Sequence, residues 1–563
     1  MDDGEDYGLH LALQNKKSKF RVEIRQRHQH ATLQSNRTRL LQNRDQMNQQ
    51  QQQSQVKQQI NNDQENRSVL QEILINIGQL REMQKEELGK LFDQLIDYIL
   101  EQMCLDQVKI NEFQTIFSEE AKSIFLLDLL LSNQNEFEYT LKQIILLGNC
   151  LCFSEEMCSI FMKGNYMQKL MNTMQIYSNE PKIIDKCLHC LYNIFSQEDF
   201  RDKIIDQYPI ISYIENQYQN VFQLPSLQKE DQFITALLCT TEKLFLNPPH
   251  IKCKKLNKII QYLHMMIINA FKFNDPEYIF NQIISIILEY LENNNDRNIQ
   301  CFVQNNSKLI HFLVNCIYEQ KKTLKQSISN MSTQSQMTEQ ISQGNKADEN
   351  KKLINILNIF INITALDTKY DINGLLYNLY KSTKLVQILG SILQPHQKQV
   401  EINKINSYIA TILSNIALGD LKTQQLIFKD KKILKKVNSI LDEQIWDEVQ
   451  MEIINIPINL ACLSTEDSVD LVIENGLFEQ ISKIIKSYFN LNSKTLKYAL
   501  LGIENILESS EEKLKKQQSN INQQALFLIQ QGYSQSFEEL FNHVNDEISQ
   551  ISERIYENYL KKY

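Results

Sequence analysis

Glycine, proline and tryptophan are scarce in this chain, at 13, 8 and 1 of 563 residues. Folds built on strands use glycine and proline in their many tight turns, so all-β and α/β architectures are excluded and an all-helical chain is expected. Long hydrophobic runs are also missing. The longest, residues 124–131, is interrupted by Asp128, far short of the roughly 18 apolar residues that cross a bilayer, and no membrane association is expected. The opening MDDGEDYG is acidic without an apolar stretch, so no signal peptide is read. The eleven cysteines are odd in number and lack framework spacing, which predicts a reducing compartment. No GxGxxG, phosphate loop or supported nucleophile–base set is present, so neither an enzyme nor a cofactor is expected. Cys187-x-His189-Cys190 invites a metal site. On a helix, however, the two thiols share a face that His189 does not, and no second ligand pair follows, so core thiols are predicted.

Charge is present but unevenly spread. The net charge is −9. Residues 15–45 hold nine basic and two acidic residues, a local +7 that leaves −16 on the rest. A Gln/Asn-rich stretch, including Gln49–Gln53, follows with little to pack. Residues 1–65 are therefore predicted to be a basic, disordered arm and linker, and 66–563 a helical array. A second polar stretch, about 321–352, lacks a periodic apolar face and is expected to be a disordered insert.

The array carries a repeat. A helix with a polar residue before a small apolar pair recurs at Asn149, Asn193, Glu242, Tyr290, Asn362, Asn415, Asn459 and Asn505. The steps are 44, 49, 48, 72, 53, 44 and 46 residues, and the long one contains the polar insert. Gly164 and Gly476 fall 15 to 17 residues after a mark, where one helix would end and the next begin. A helical period in the forties predicts an armadillo or HEAT solenoid, here of about ten repeats in a right-handed superhelix with a long concave groove. Asparagine offers one acceptor and two donors. A row of asparagines at repeat spacing can hold the backbone of an extended peptide; alternatively, each caps or bridges within its own repeat.

The quoted segments resemble importin-α, the armadillo adaptor that carries basic nuclear localisation signals and is itself carried by importin-β. NIFSQEDFRDKII from Asn193 resembles the third repeat of that family, and LFLNPPHIKCKKLNKII resembles the fourth. ISIILEYLENNNDRNIQCFV resembles the fifth, ATILSNIALGDLKTQQLI the seventh and LLGIENILESSEEK the ninth, while FEELFNHVNDEISQISERIYENYL resembles the closing repeat. The resemblance implies a nuclear import adaptor that shuttles between cytoplasm and nucleus. Its cargo-peptide residues would be Asn149, Asn193, Tyr290, Asn362, Ser414, Asn415, Glu452, Asn459 and Asn505. In the arm, Arg21, Ile24, Arg25, Arg27, Leu33, Arg37 and Arg39 fall at the spacing of the importin-β-binding helix. The implied partners are importin-β, basic signal-bearing cargo and the family's nuclear export receptor; direct nucleic-acid binding is not expected of an acidic body.

The chain also departs from that family. A Trp one turn before most marked residues forms the family's slots for Lys and Arg stems. Those positions here hold Ile145, His189, Leu238, Ile286, Asn358, Thr411 and Asn455, and the only Trp is Trp446. The family's main lysine pocket lands on Phe153, Cys158 and Gln197, with Glu198 or Asp199 as a substitute acid. The arm's basic cluster is thinned to Asn36-Arg37-Thr38-Arg39, implying weak self-inhibition, and the family's acidic tail is not expected after Tyr563. The major groove is thus expected to be degraded and the minor groove partly kept. The rival expectation is a divergent armadillo scaffold that has lost conventional signal reading and holds another partner.

Overall fold

The structure is a computed structural model that describes residues 85–98, 120–132, 136–246, 253–292, 296–331, 339–366, 374–394, 400–443, 447–462, 466–487, 491–517 and 521–563. Among these residues every regular element is a helix. The residues of the basic arm, the importin-β-type positions included, lie outside the described set, as does Trp446.

Local chemistry fixes where helices begin and end. Ser154 Oγ accepts from the Met157 amide at 3.1 Å and opens Glu155–Lys163; Asp420, Asp430, Asp447 and Asn522 cap later helices in the same way. Gly476, at φ +73°, closes Glu466–Glu474 in the left-handed region, as the spacing predicted. At Gly164 a Cβ would lie 2.4 Å from the Tyr166 ring, so only glycine permits that turn. Pro457 cannot bond Ile453 O, and the chain breaks there into Glu448–Ile453 and Asn455–Cys462.

The helices form three-helix repeats, and within each compact unit the helices carrying the marked residues pack on one another in succession. The apolar row of each is fully buried: Ile283, Ile287 and Leu291 in one, Ile409, Ile412, Leu413 and Ile416 in another. This is an all-α solenoid in which each repeat completes its core against its neighbours. It falls into two compact units, His30–Asn294 and, from Asn295, a second ending at Tyr563. The break lies inside what the periodicity presents as one array, within its 72-residue step.

Two expectations are corrected here. The 321–352 stretch is largely helical backbone, divided between Ser307–Met331 and Glu339–Thr364, with 332–338 outside the described residues. Its Lys, Gln, Met and Ala content supports helix without an apolar face, and both helices are anchored at their packed ends. Cys301 is disulfide-bonded, which the scattered cysteine spacing did not predict. Cys187 and Cys190 are fully buried, and burial raises both thiols, as core thiols require. Among the described residues no single helix is long and apolar enough to cross a membrane.

Candidate functional site

The marked residues stand on eight ladder helices. In the His30–Asn294 unit these are α1 (Phe137–Phe153), α2 (Pro181–Phe195), α3 (Asp231–Phe245) and α4 (Pro276–Glu292). In the second unit they are α5 (Glu339–Thr364), α6 (Val400–Ala417), α7 (Asn455–Cys462) and α8 (Ser493–Gln517).

A close-packed stack of helices disfavours an unpaired amide, and four of the marked asparagines tie their ladder helix to the one before it. Asn193 Nδ2 donates to Gly148 O at 2.8 Å, reaching α1 from α2. In the second unit Asn459 Nδ2 donates to Ser414 O at 3.1 Å and Ser414 Oγ at 2.8 Å. Asn505 Nδ2 donates to Ala461 O at 2.7 Å, and Asn415 Nδ2 to Thr364 Oγ1 at 3.2 Å. Only Asn362 bonds within its own helix, to Asn358 O at 3.0 Å. Where the mark is Glu242, Thr240 makes the tether, donating to Leu188 O at 3.0 Å. A threonine two residues before the mark is the sequence signal that periodicity alone overlooks.

These bonds sort the cargo-peptide candidates. Asn149, Asn193, Glu452 and Asn505 remain part-exposed. Asn415 and Asn459 are 1% and 2% exposed, and Ser414 and Asn362 are buried with them. Tyr290 is fully buried, its ring edge-on to Phe245 at 5.4 Å. Tyr290, Asn362, Ser414, Asn415 and Asn459, five of the residues that the resemblance implied for a peptide, thus have buried side chains. Of these, Asn415, Asn459 and Ser414 take part in hydrogen bonds between successive ladder helices. Asn149 Nδ2 and Asn415 Oδ1 are buried without a hydrogen-bond partner among the described residues.

The slot positions are no more uniform. Leu238 and Ile286 are fully buried and Thr411 is 2% exposed, its Oγ1 donating to Glu452 Oε2 at 3.2 Å. His189 is exposed, with Nδ1 3.1 Å from the carboxylate of buried Asp185, which Lys186 also pairs at 2.7 Å. Burial acts to raise the Asp185 carboxyl, but the hydrogen bonds and charges of His189 and Lys186 hold it below the usual range. In the lysine-pocket region Cys158 is buried with Sγ donating to Leu151 O, and the Phe153 and Glu198 side chains lie outside the described residues.

Aromatic surface is present, though at other offsets. Tyr192, directly before Asn193, is part-exposed and carries Lys243 Nζ 5.4 Å from its ring centroid. Tyr408 on α6 carries Lys404 at 5.7 Å. Beside Tyr192, Glu242 Oε2 accepts from Gln282 Nε2 at 2.7 Å. Burial raises the Glu242 carboxyl; Lys243 and the Gln282 hydrogen bond offset it only in part. At α8, Glu504 is held bidentately by Arg554 of the closing repeat, at 2.8 Å for both bonds. The ladder faces thus offer amide and carboxylate acceptors with tyrosine rings between them. Among the described residues no group of His, Cys, Asp and Glu is arranged to hold a metal.

No protein-family model matches the sequence, and no curated protein matches it. Solved structures do. An engineered protein from a structural-genomics consortium superposes with TM-score 0.57 at 13% identity, covering 86% of this chain and 98% of its own. A chain from a structure on a phosphorylation switch controlling the interaction between cadherin and β-catenin gives 0.52 at 11%, covering 87% and 83%. A designed armadillo repeat protein in complex with the peptide (KR)4 gives 0.36 at 16%, covering 53% of this chain and 99% of its own. The fold is of the armadillo type.

Proposed function

We propose that this chain is an adaptor of the importin-α kind. Its ladder faces hold extended basic segments of partner proteins, and its basic arm engages importin-β through Arg21, Ile24, Arg25, Arg27, Leu33, Arg37 and Arg39. The adaptor would shuttle between cytoplasm and nucleus, returning by the export receptor. One observation carries the reading. Part-exposed acceptors, Asn149, Asn193 and Glu242 in one unit and Glu452 and Asn505 in the other, recur at repeat spacing on an acidic body, −11 over residues 66–563. Main-chain donors of an extended peptide suit the amide oxygens, and Lys or Arg side chains suit the carboxylates.

A second reading has its own observation. Five of the nine expected peptide contacts are buried in repeat packing, which favours a scaffold that kept the fold and changed its occupant. Binding of the full chain to purified importin-β separates the two. The adaptor predicts submicromolar binding, lost in an Arg25→Ala, Arg27→Ala, Arg37→Ala chain and weakened by salt. Equal, salt-insensitive behaviour of both chains, or no binding, selects the scaffold.

A further inference from the structure

We infer that Tyr192, Glu242 and Gln282 form a subsite for one Lys or Arg side chain of a bound segment, and that the chain's own Lys243 occupies its aromatic wall. The inference rests on the peptide-binding reading and names how the His30–Asn294 unit would read charge without tryptophan.

The three residues come from successive ladder helices, α2, α3 and α4. Tyr192 and Glu242 are both part-exposed, and the Glu242 charge bears on the Tyr192 hydroxyl. Glu242 is held in place from one side only, by the 2.7 Å bond from the neutral Gln282 amide. It makes no ion pair among the described residues, although Lys243 is the next residue in sequence. Lys243 instead lies over the Tyr192 ring at 5.4 Å, where a guest's ammonium or guanidinium would lie. Asn193, alongside, has its amide nitrogen committed to Gly148 and its oxygen left to accept a peptide N–H. The site thus holds a fixed, partly desolvated carboxylate that a neutral donor orients and that the charge of Lys243 offsets only in part. The adjoining ring is already covered by a cation that a guest must displace. Burial raises the Glu242 carboxyl, so an approaching cation gains more there than at a solvated glutamate. Lys243 acts as an internal competitor and sets a threshold that weakly basic segments do not pass.

The test titrates the full-length chain and five variants with a fluorescent Lys/Arg-rich octapeptide and with its Lys/Arg→Gln counterpart. Glu242→Gln is expected to weaken the basic peptide about tenfold, and Tyr192→Leu severalfold. Lys243→Gln is expected to tighten it severalfold and to bring in peptides with fewer basic residues. Glu452→Gln, in the other unit, monitors the general reading. Basic-peptide binding that Glu452→Gln weakens but Glu242→Gln and Lys243→Gln leave unchanged overturns the subsite and spares the adaptor. Absence of basic-peptide binding in the natural chain and in Lys243→Gln alike overturns both. Thermal unfolding of each variant accompanies the titration, and a Tyr192→Phe chain that keeps its affinity shows the ring, not the hydroxyl, to be the contact.

Discussion

At the scale of the residue, an asparagine repeated along a helical array has two uses, and the structure divides them. Asn193 and Asn505 spend their nitrogen on the preceding helix and keep part of their surface. Asn415 and Asn459 are taken wholly into the packing. The sequence shows the amide and its spacing but not how closely adjacent repeats approach, so this division is not legible in it. It has a measurable consequence. Replacing Asn459 by Ala strips a buried carbonyl and hydroxyl of their donor, at about 1–3 kcal/mol. It should lower the unfolding midpoint of the second unit while leaving basic-peptide affinity near its natural value. Asn193→Ala should lower both; equal affinity in the two variants would show Asn193 to be a tether alone. Glu242 supplies a pH test. Its carboxyl titrates above the ordinary value of about 4.3, so the folded chain binds a proton that the unfolded chain has released. Glu242 therefore costs stability as pH rises through its folded value, and the cost is absent below the ordinary value. Glu242→Gln should raise the melting temperature at pH 7 and match the natural chain at pH 4. In thermal scans, a variant less stable than the natural chain at pH 7 would contradict this.

At the scale of the element, most of the architecture was legible. Scarce glycine and proline, the wide aliphatic faces and the period in the forties all reflect helices that must bury one face against a neighbour, and these set element type and order. Gly476 was legible for the same reason, because a turn between two helices of a repeat needs the left-handed region. Alanine at that position should lower stability by about 1 kcal/mol, read as a shift in urea midpoint; asparagine should restore much of it. What misled was 321–352. Lack of an apolar face argues against packing, yet two packed helices extend into the stretch because Lys, Gln and Met favour helix without a partner. Lys436 was not legible either. Its Nζ donates to Gly390 O, Ser391 O and Leu393 O at 2.8, 3.3 and 2.7 Å, closing the Leu385–Ile392 helix of the previous repeat. Lys436→Met keeps the stem and removes the donors, and should cost about 1.5–3 kcal/mol; an unchanged midpoint would reduce the contact to a surface ion.

At the scale of the whole molecule, the solenoid places amide and carboxylate acceptors on its ladder faces. The charge of the chain is divided between a basic segment and an acidic remainder. Such a body should attract basic segments at rates that fall with ionic strength, and raising salt from about 50 to 200 mM should weaken peptide binding while leaving the fold's melting temperature nearly constant. The repeat spacing made the ladder visible from sequence. The tyrosine walls were not visible, because the expected aromatic lies one turn before the mark, whereas Tyr192 directly precedes it. The central claim is that an extended basic segment lies along the ladder faces. The most direct measurement is photo-cross-linking of the full-length chain with a Lys/Arg-rich peptide carrying a photoreactive residue, competed by unlabelled peptide, with the adducts located by mass spectrometry. The account predicts competed adducts on α2, α3 and α4 around Tyr192 and Glu242, and on α8 near Asn505. Competed adducts confined to other helices of the repeats, or adducts that unlabelled peptide does not displace, would contradict it.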